Sequence, residues 1–131
     1  MNPVQVAQPT HEDAALVVQL AQWSSTAGLV EAVDWIFSDG FVSEHARFVR
    51  DFPPTSARYR QVHTTLNFFE TVGTLHKHGL INEQLLFDWL AVEAVWDRVR
   101  SLAIGDREQY GIAALWENFE AMAKAQAERG R

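Results

Sequence analysis

The stretch from Thr55 to His78 constrains this chain most. Tyr59, Val62, Leu66, Phe69, Gly73 and His76 recur at three- and four-residue spacing, and Thr65, Phe68, Val72 and Leu75 form a second row beside them. A helix with a narrow apolar stripe lies on a surface, whereas a stripe this wide is buried on more than one side. The spacing therefore predicts a central bundle helix. No run of six or more residues alternates apolar and polar with turn signals at both ends, so no strands are expected. The expected fold class is all-α, an antiparallel bundle of about five helices.

Local punctuation divides the rest. Thr10, with Asp13 three residues on, forms a cap signature for a helix over 11–25 that carries Ala14, Leu16, Val17, Leu20, Ala21 and Trp23. Gly28 marks either a break or a kink, and the pattern resumes from Leu29 to Phe37 before stopping at Asp39-Gly40. Ser43 and Glu44 open a short segment that ends before Pro53-Pro54. Thr55 caps the long helix, Gly79 ends it, and Asn82 caps the next, which carries Leu85 to Leu102 and stops near Gly105. A last helix starts around Asp106 to Glu108 and passes Met122.

The connection Gly79-Leu80-Ile81-Asn82 is short, so its two helices are expected to be antiparallel neighbours. Folding them about the turn pairs Phe69 with Val92, Leu66 with Val95, His63 with Arg98, and Gly73 with Asp88 or Trp89. Gly73 would then leave room for Trp89. A second turn at Gly105 sets Trp96 near Leu115 and Glu93 near Asn118, which makes a three-helix core from 55 to 126. Residues 1–9 read as a flexible arm, 10–126 as a single helical domain, and 127–131 as a frayed tail.

Several elements match one known pattern together. Asn67-Phe68-Phe69-Glu70, Val72-Gly73 with Leu75, Gly79-Leu80-Ile81 with Glu83, Trp96, and Trp116-Glu117-Asn118-Phe119-Glu120 resemble a bacterial family of small helical proteins known only as a domain of unknown function. The likeness covers residues 55–122, and the first fifty residues carry none of it. The resemblance implies a helical fold in a bacterial protein. It implies no reaction, cofactor or catalytic residue.

Composition narrows the chemistry. With no cysteine, the chain has no disulfide, thiolate metal site or cysteine nucleophile. A net charge of −6 argues against nucleic acid as a partner. No eighteen-residue window is both free of charge and strongly apolar, so no membrane span is expected. No cationic region with an apolar core marks a secretory signal, which leaves a cytoplasmic location as the expectation.

The candidate sites are few. Arg47, Arg50, Arg58 and Arg60 cluster after an acidic beginning and read as solvated faces or as an anchor for a phosphate or carboxylate. Glu70 borders the buried face, and a carboxylate there must be paired or protonated. It is expected to hold Arg98, Arg100 or Arg107, or to cap a backbone group. The competing reading makes it a catalytic acid or base. Glu93 lies among apolar neighbours, and His63 is expected at the core edge, bonded to a neighbour. A di-iron bundle needs Glu-x-x-His on two helices. Glu70, Glu93 and Glu117 are followed at that spacing by Gly73, Trp96 and Glu120, so neither metal nor cofactor is expected. Trp89, Trp96 and Trp116 fit the core rows. Trp23 and Trp35 lie on amino-terminal helices with apolar surface to spare and read as interface residues.

The function these features suggest is a protein–protein interaction or regulatory module that self-associates. The alternative is a small-ligand-binding bundle in which the arginines anchor an anion. A weaker alternative is an enzyme using Glu70.

Overall fold

The computed structural model describes residues 8–130. The arm expected over residues 1–9 therefore lies outside the described residues, except for Gln8 and Pro9. Among the described residues there are seven helices and no strand: α1 (His11–Thr26), α2 (Leu29–Ile36), α3 (His45–Asp51), α4 (Ala57–Lys77), α5 (Glu83–Trp89), α6 (Val92–Tyr110) and α7 (Glu117–Arg129). The fold is all-α. The first of the added helices arises at Gly28, which takes the left-handed region at φ +76° and separates α1 from α2. The second arises at Leu90-Ala91, where non-helical backbone separates α5 from α6.

Most helix starts follow side-chain chemistry. Asp13 N–H donates to the Thr10 hydroxyl at 3.1 Å, and the Asp13 carboxylate accepts from Thr10 N–H at 2.8 Å, which completes a capping box. Glu44 accepts from Arg47 N–H at 2.6 Å ahead of α3, and Asn82 accepts from Leu85 N–H at 3.0 Å ahead of α5. Helix α4 is capped by Ser56, not Thr55: the Ser56 hydroxyl accepts from Tyr59 N–H.

Helix α4 is central, as its two apolar rows require. Val62, Leu66, Phe69 and Val72 are buried on it, as are Thr65, Phe68 and Gly73. Its main neighbours are α2 on one side and α7 on the other, and α7 also packs on α6. Phe69 therefore stacks on Phe119 at 4.8 Å, and Trp96 meets Phe119 edge-on at 5.0 Å. The expected pairing of Phe69 with Val92 gives way to this, because α7 takes the place against α4 that the hairpin assigned to the following helix. Gly73 makes room for the backbone of Asn118, not for Trp89: a Cβ there would lie 2.5 Å from the Asn118 carbonyl oxygen.

Helices α4 and α6 still run antiparallel where they meet. The register differs, because α5 is spent before α6 begins: His63 faces Asp106, eight positions beyond Arg98. The turn from α6 to α7 is displaced as well. Gly105 lies inside α6, and the helix ends at Gly111 with φ +66°. Glu93 N–H accordingly donates to Gln126 and not to a group on Asn118, and Leu115 lies at Arg107. Helix α7 reaches Arg129, so residues 127–129 of the expected tail are helical.

Candidate functional site

Among the described residues the most enclosed charge is Asp106, 3% exposed. Position 106 continues the buried row Val92, Val95, Val99, Leu102 on α6, so the helix drives this carboxylate into the core. A buried carboxylate needs donors, and they come from three other segments. His45, the first residue of α3, places Nε2 3.1 Å from Oδ1. His63 on α4 places Nε2 3.0 Å from Oδ2. The Trp116 indole N–H donates to Oδ2 at 3.1 Å from the segment ahead of α7. One side chain thereby joins α3, α4, α6 and the start of α7.

Electrostatics follow from this packing. Burial pushes the Asp106 carboxyl up, but the hydrogen bond and charge of His63, with the bonds from Trp116 and His45, hold it below its ordinary value of 3.8. His63 also sets Nδ1 3.0 Å from the Tyr59 carbonyl and stacks on the Tyr59 ring at 4.1 Å. Burial, then the hydrogen bond to Tyr110 and the charges of Tyr110 and Asp106, push the Tyr59 hydroxyl up to about 12. His45 packs directly on Gly105, where any Cβ would collide with the imidazole ring. The two imidazoles bond opposite oxygens of one carboxylate and do not converge on a common point. Among the described residues no group of three His, Cys, Asp or Glu side chains has metal-holding geometry.

The residues singled out from sequence are scattered. Glu70, half-buried, meets none of the arginines expected of it. Its Oε1 accepts from the backbone N–H of Asn118 and Phe119 at 3.0 and 2.9 Å, and Oε2 accepts from the Asn118 amide at 2.9 Å. It thus caps α7, whose own N-cap residue, Trp116, gives no side-chain bond. Arg98 caps the opposite kind of end. Its guanidinium donates to the Ile36 carbonyl at 3.0 and 2.7 Å, closing α2. Arg107 donates to the Leu115 carbonyl and to Glu120. The Glu93 N–H donates to Gln126 Oε1 at 2.8 Å while Gln126 Nε2 donates to the Leu90 carbonyl at 2.8 Å, so Gln126 splints the break between α5 and α6. These are orphan helix-end groups satisfied from a distance.

None of Arg47, Arg50, Arg58 and Arg60 lines any of three clefts among the described residues. Arg47 and Arg50 both reach Asp51, at 3.4 and 3.2 Å, and Arg58 lies over the Trp35 ring at 4.9 Å and bonds Gln61. Arg60 is exposed. The clefts, of about 390, 440 and 190 Å³, are lined instead around Gly73 and Lys77, around Ile104 and Glu108, and around Glu93 and Arg100.

Trp35, expected at an interface, lies in the core. It is 9% exposed and packs among Phe41, Phe48 and Phe52 beneath Arg58. Trp23 packs on Phe68 at 5.1 Å yet stays 41% exposed. Around it lies a surface of unusual kind: no charged residue occurs from Ala14 to Val30. Ala14, Ala15, Val18, Gln19, Gln22 and Val30 in that stretch face solvent. Leu20 is the one buried residue of α1.

Sequence reasoning missed Asp106, His45, Trp116 in its polar role, and Gln126. The sequence profile of the family described as Domain of unknown function (DUF4760) matches residues 9–126, taking in α1 to α3 as well as the region of resemblance. No curated protein matches the chain, and no solved structure does. Among the described residues no helix is long and apolar enough to cross a membrane. The chain belongs to this family, a domain of unknown function.

Proposed function

We propose that this chain is a protein–protein interaction module whose docking surface is the solvent face of α1 and the start of α2, and that it takes a second copy of itself. The observation that carries the reading is the neutrality of that face. The outer side of a surface helix ordinarily carries charge. Here seventeen residues from Ala14 to Val30 carry none, although the chain as a whole has a net charge of −6. Val18 and Val30 stand 56% and 66% exposed beside Trp23. Interface centres are depleted of charge, as this face is, and Trp23 is its one aromatic residue. A two-fold contact sets one face against its own copy, so any charge near its centre meets its like. A charge-free face on an acidic chain avoids that repulsion.

The test is sedimentation equilibrium and native mass spectrometry across concentration, with Val18→Glu/Val30→Glu as the disrupting variant. Both positions are exposed, so the helical circular dichroism should persist. The expected result is a dimer of the 14.9 kDa chain that the double variant returns to monomer. A monomer at every concentration would overturn self-association, and a reproducible added mass would replace it with small-ligand binding.

A further inference from the structure

We propose that His63 and Asp106 form a proton-dependent latch on the α6–α7 connection, closed when both ring nitrogens of His63 carry a proton and opened when one proton leaves. The argument begins with donors and acceptors. Nε2 faces a carboxylate oxygen, and Nδ1 faces the Tyr59 carbonyl, each at 3.0 Å. Both facing groups are acceptors. A neutral imidazole has one N–H and one lone pair, so either tautomer sets a lone pair against an acceptor. The ring is held in place by its stack on Tyr59 and by the Trp116 ring 6.3 Å away.

The groups around the pair come from every element packed there. His45 on α3 bonds the second carboxylate oxygen through one nitrogen, a contact that its neutral and charged forms both satisfy. Tyr59 on α4 and Tyr110 on α6 bond each other beside it, and the Trp116 indole shares Oδ2 with His63. The Asp106 carboxyl sits below its ordinary range, so Oδ2 faces His63 as an acceptor.

The mechanical consequence runs through Trp116. It holds φ +62°, the only left-handed residue other than glycine among the described residues. That conformation is disfavoured for an L residue, and the indole bond to Asp106 helps to hold it. When His63 drops a proton, the ring loses its charge beside Oδ2 whichever tautomer remains, and one of its two hydrogen bonds goes with it. The carboxylate that accepts the Trp116 indole then sits without that counter-charge, its hold on the indole changes, and the connection over 111–116 loosens. That connection follows Tyr110 and includes Ile112, which are 52% and 50% exposed.

The test is a nitrogen-15 NMR titration of the histidine rings and the Trp116 indole from about pH 5 to about pH 9, where imidazoles exchange their proton. Both His63 ring nitrogens should be protonated at the acid end. The Trp116 indole and the amides of 112–116 should shift with the same midpoint as His63. His45→Gln should keep that transition and His63→Gln should abolish it. A single neutral His63 tautomer throughout, a separate midpoint for Trp116, or a Trp116 transition that survives His63→Gln would each refute the latch. Where His63→Gln does not fold, the wild-type titration alone decides.

Discussion

Glu70 closes the amino-terminal end of a helix that begins far along the chain, accepting the backbone N–H of Asn118 48 positions later at 3.0 Å. Oε1 takes Phe119 N–H as well, and the second oxygen holds the Asn118 side chain. The carboxylate sits at the positive end of the α7 dipole, where a negative charge is favoured. Glu70→Gln keeps one acceptor and sets an amide against the Asn118 amide. The expected cost is about 1–3 kcal/mol in urea denaturation, from weakened charge-assisted bonds. Unchanged stability would remove Glu70 from this role.

Gly105 gives a prediction with a sign. In an ordinary helix interior, glycine to alanine stabilises by about 1 kcal/mol. Here the new methyl meets the His45 ring, so Gly105→Ala should destabilise instead, by about 1–3 kcal/mol. In a His45→Ala background the ring is gone but the Cβ of residue 45 still lies 2.5 Å from the new methyl, so the same change should destabilise by less. The double-mutant cycle measures that difference. Additive effects would show that His45 does not pack on Gly105.

Much of the fold was legible in the sequence for a plain reason. Thr10, Glu44, Asn82, Gly28 and Gly79 act within three or four residues, and the rows on α4 state their own burial. What was not legible depends on distant partners. Nothing between Trp89 and Val92 breaks a helix locally; the break is held by Gln126, some 33 to 36 positions away. Missing it shifted the register of α6 against α4. Gly105 reads as a helix end because glycine ends helices so often, whereas here it is a packing notch inside α6. Ending the helix there also hid Asp106, which continues the row from Val92 to Leu102. An acid on the continuation of a buried row was the signal for the candidate site, and it needed the helix to run six residues further.

Gln126 offers a direct check on that account. Gln126→Leu keeps most of the volume and removes both bonds across Leu90–Glu93. Two orphaned backbone groups should cost about 1–3 kcal/mol. The loss should be local: the Glu93 amide should exchange with deuterium faster, while amides in the middle of α4 change only as global stability does. Equal protection at Glu93 would mean that the break holds without its splint.

The last prediction concerns acid. The Asp106 carboxyl lies below its ordinary value of 3.8 in the folded chain, because His63, Trp116 and His45 outweigh the cost of burial. A folded-state value below the unfolded one means that the unfolded chain binds the proton first. Stability from this group is then fully present above the ordinary Asp range and is lost as pH falls through it toward the folded-state value. Asp106→Asn removes the charge and turns an amide toward three donors, so it should be less stable than wild type at neutral pH by about 3 kcal/mol. Because the variant has no proton to take up at this position, the gap should close on the acid side, beginning near 3.8. Urea midpoints for both proteins between about pH 2 and about pH 7 measure it. A gap that stays constant to the acid limit would show that Asp106 is not the charged centre joining α3, α4, α6 and the start of α7.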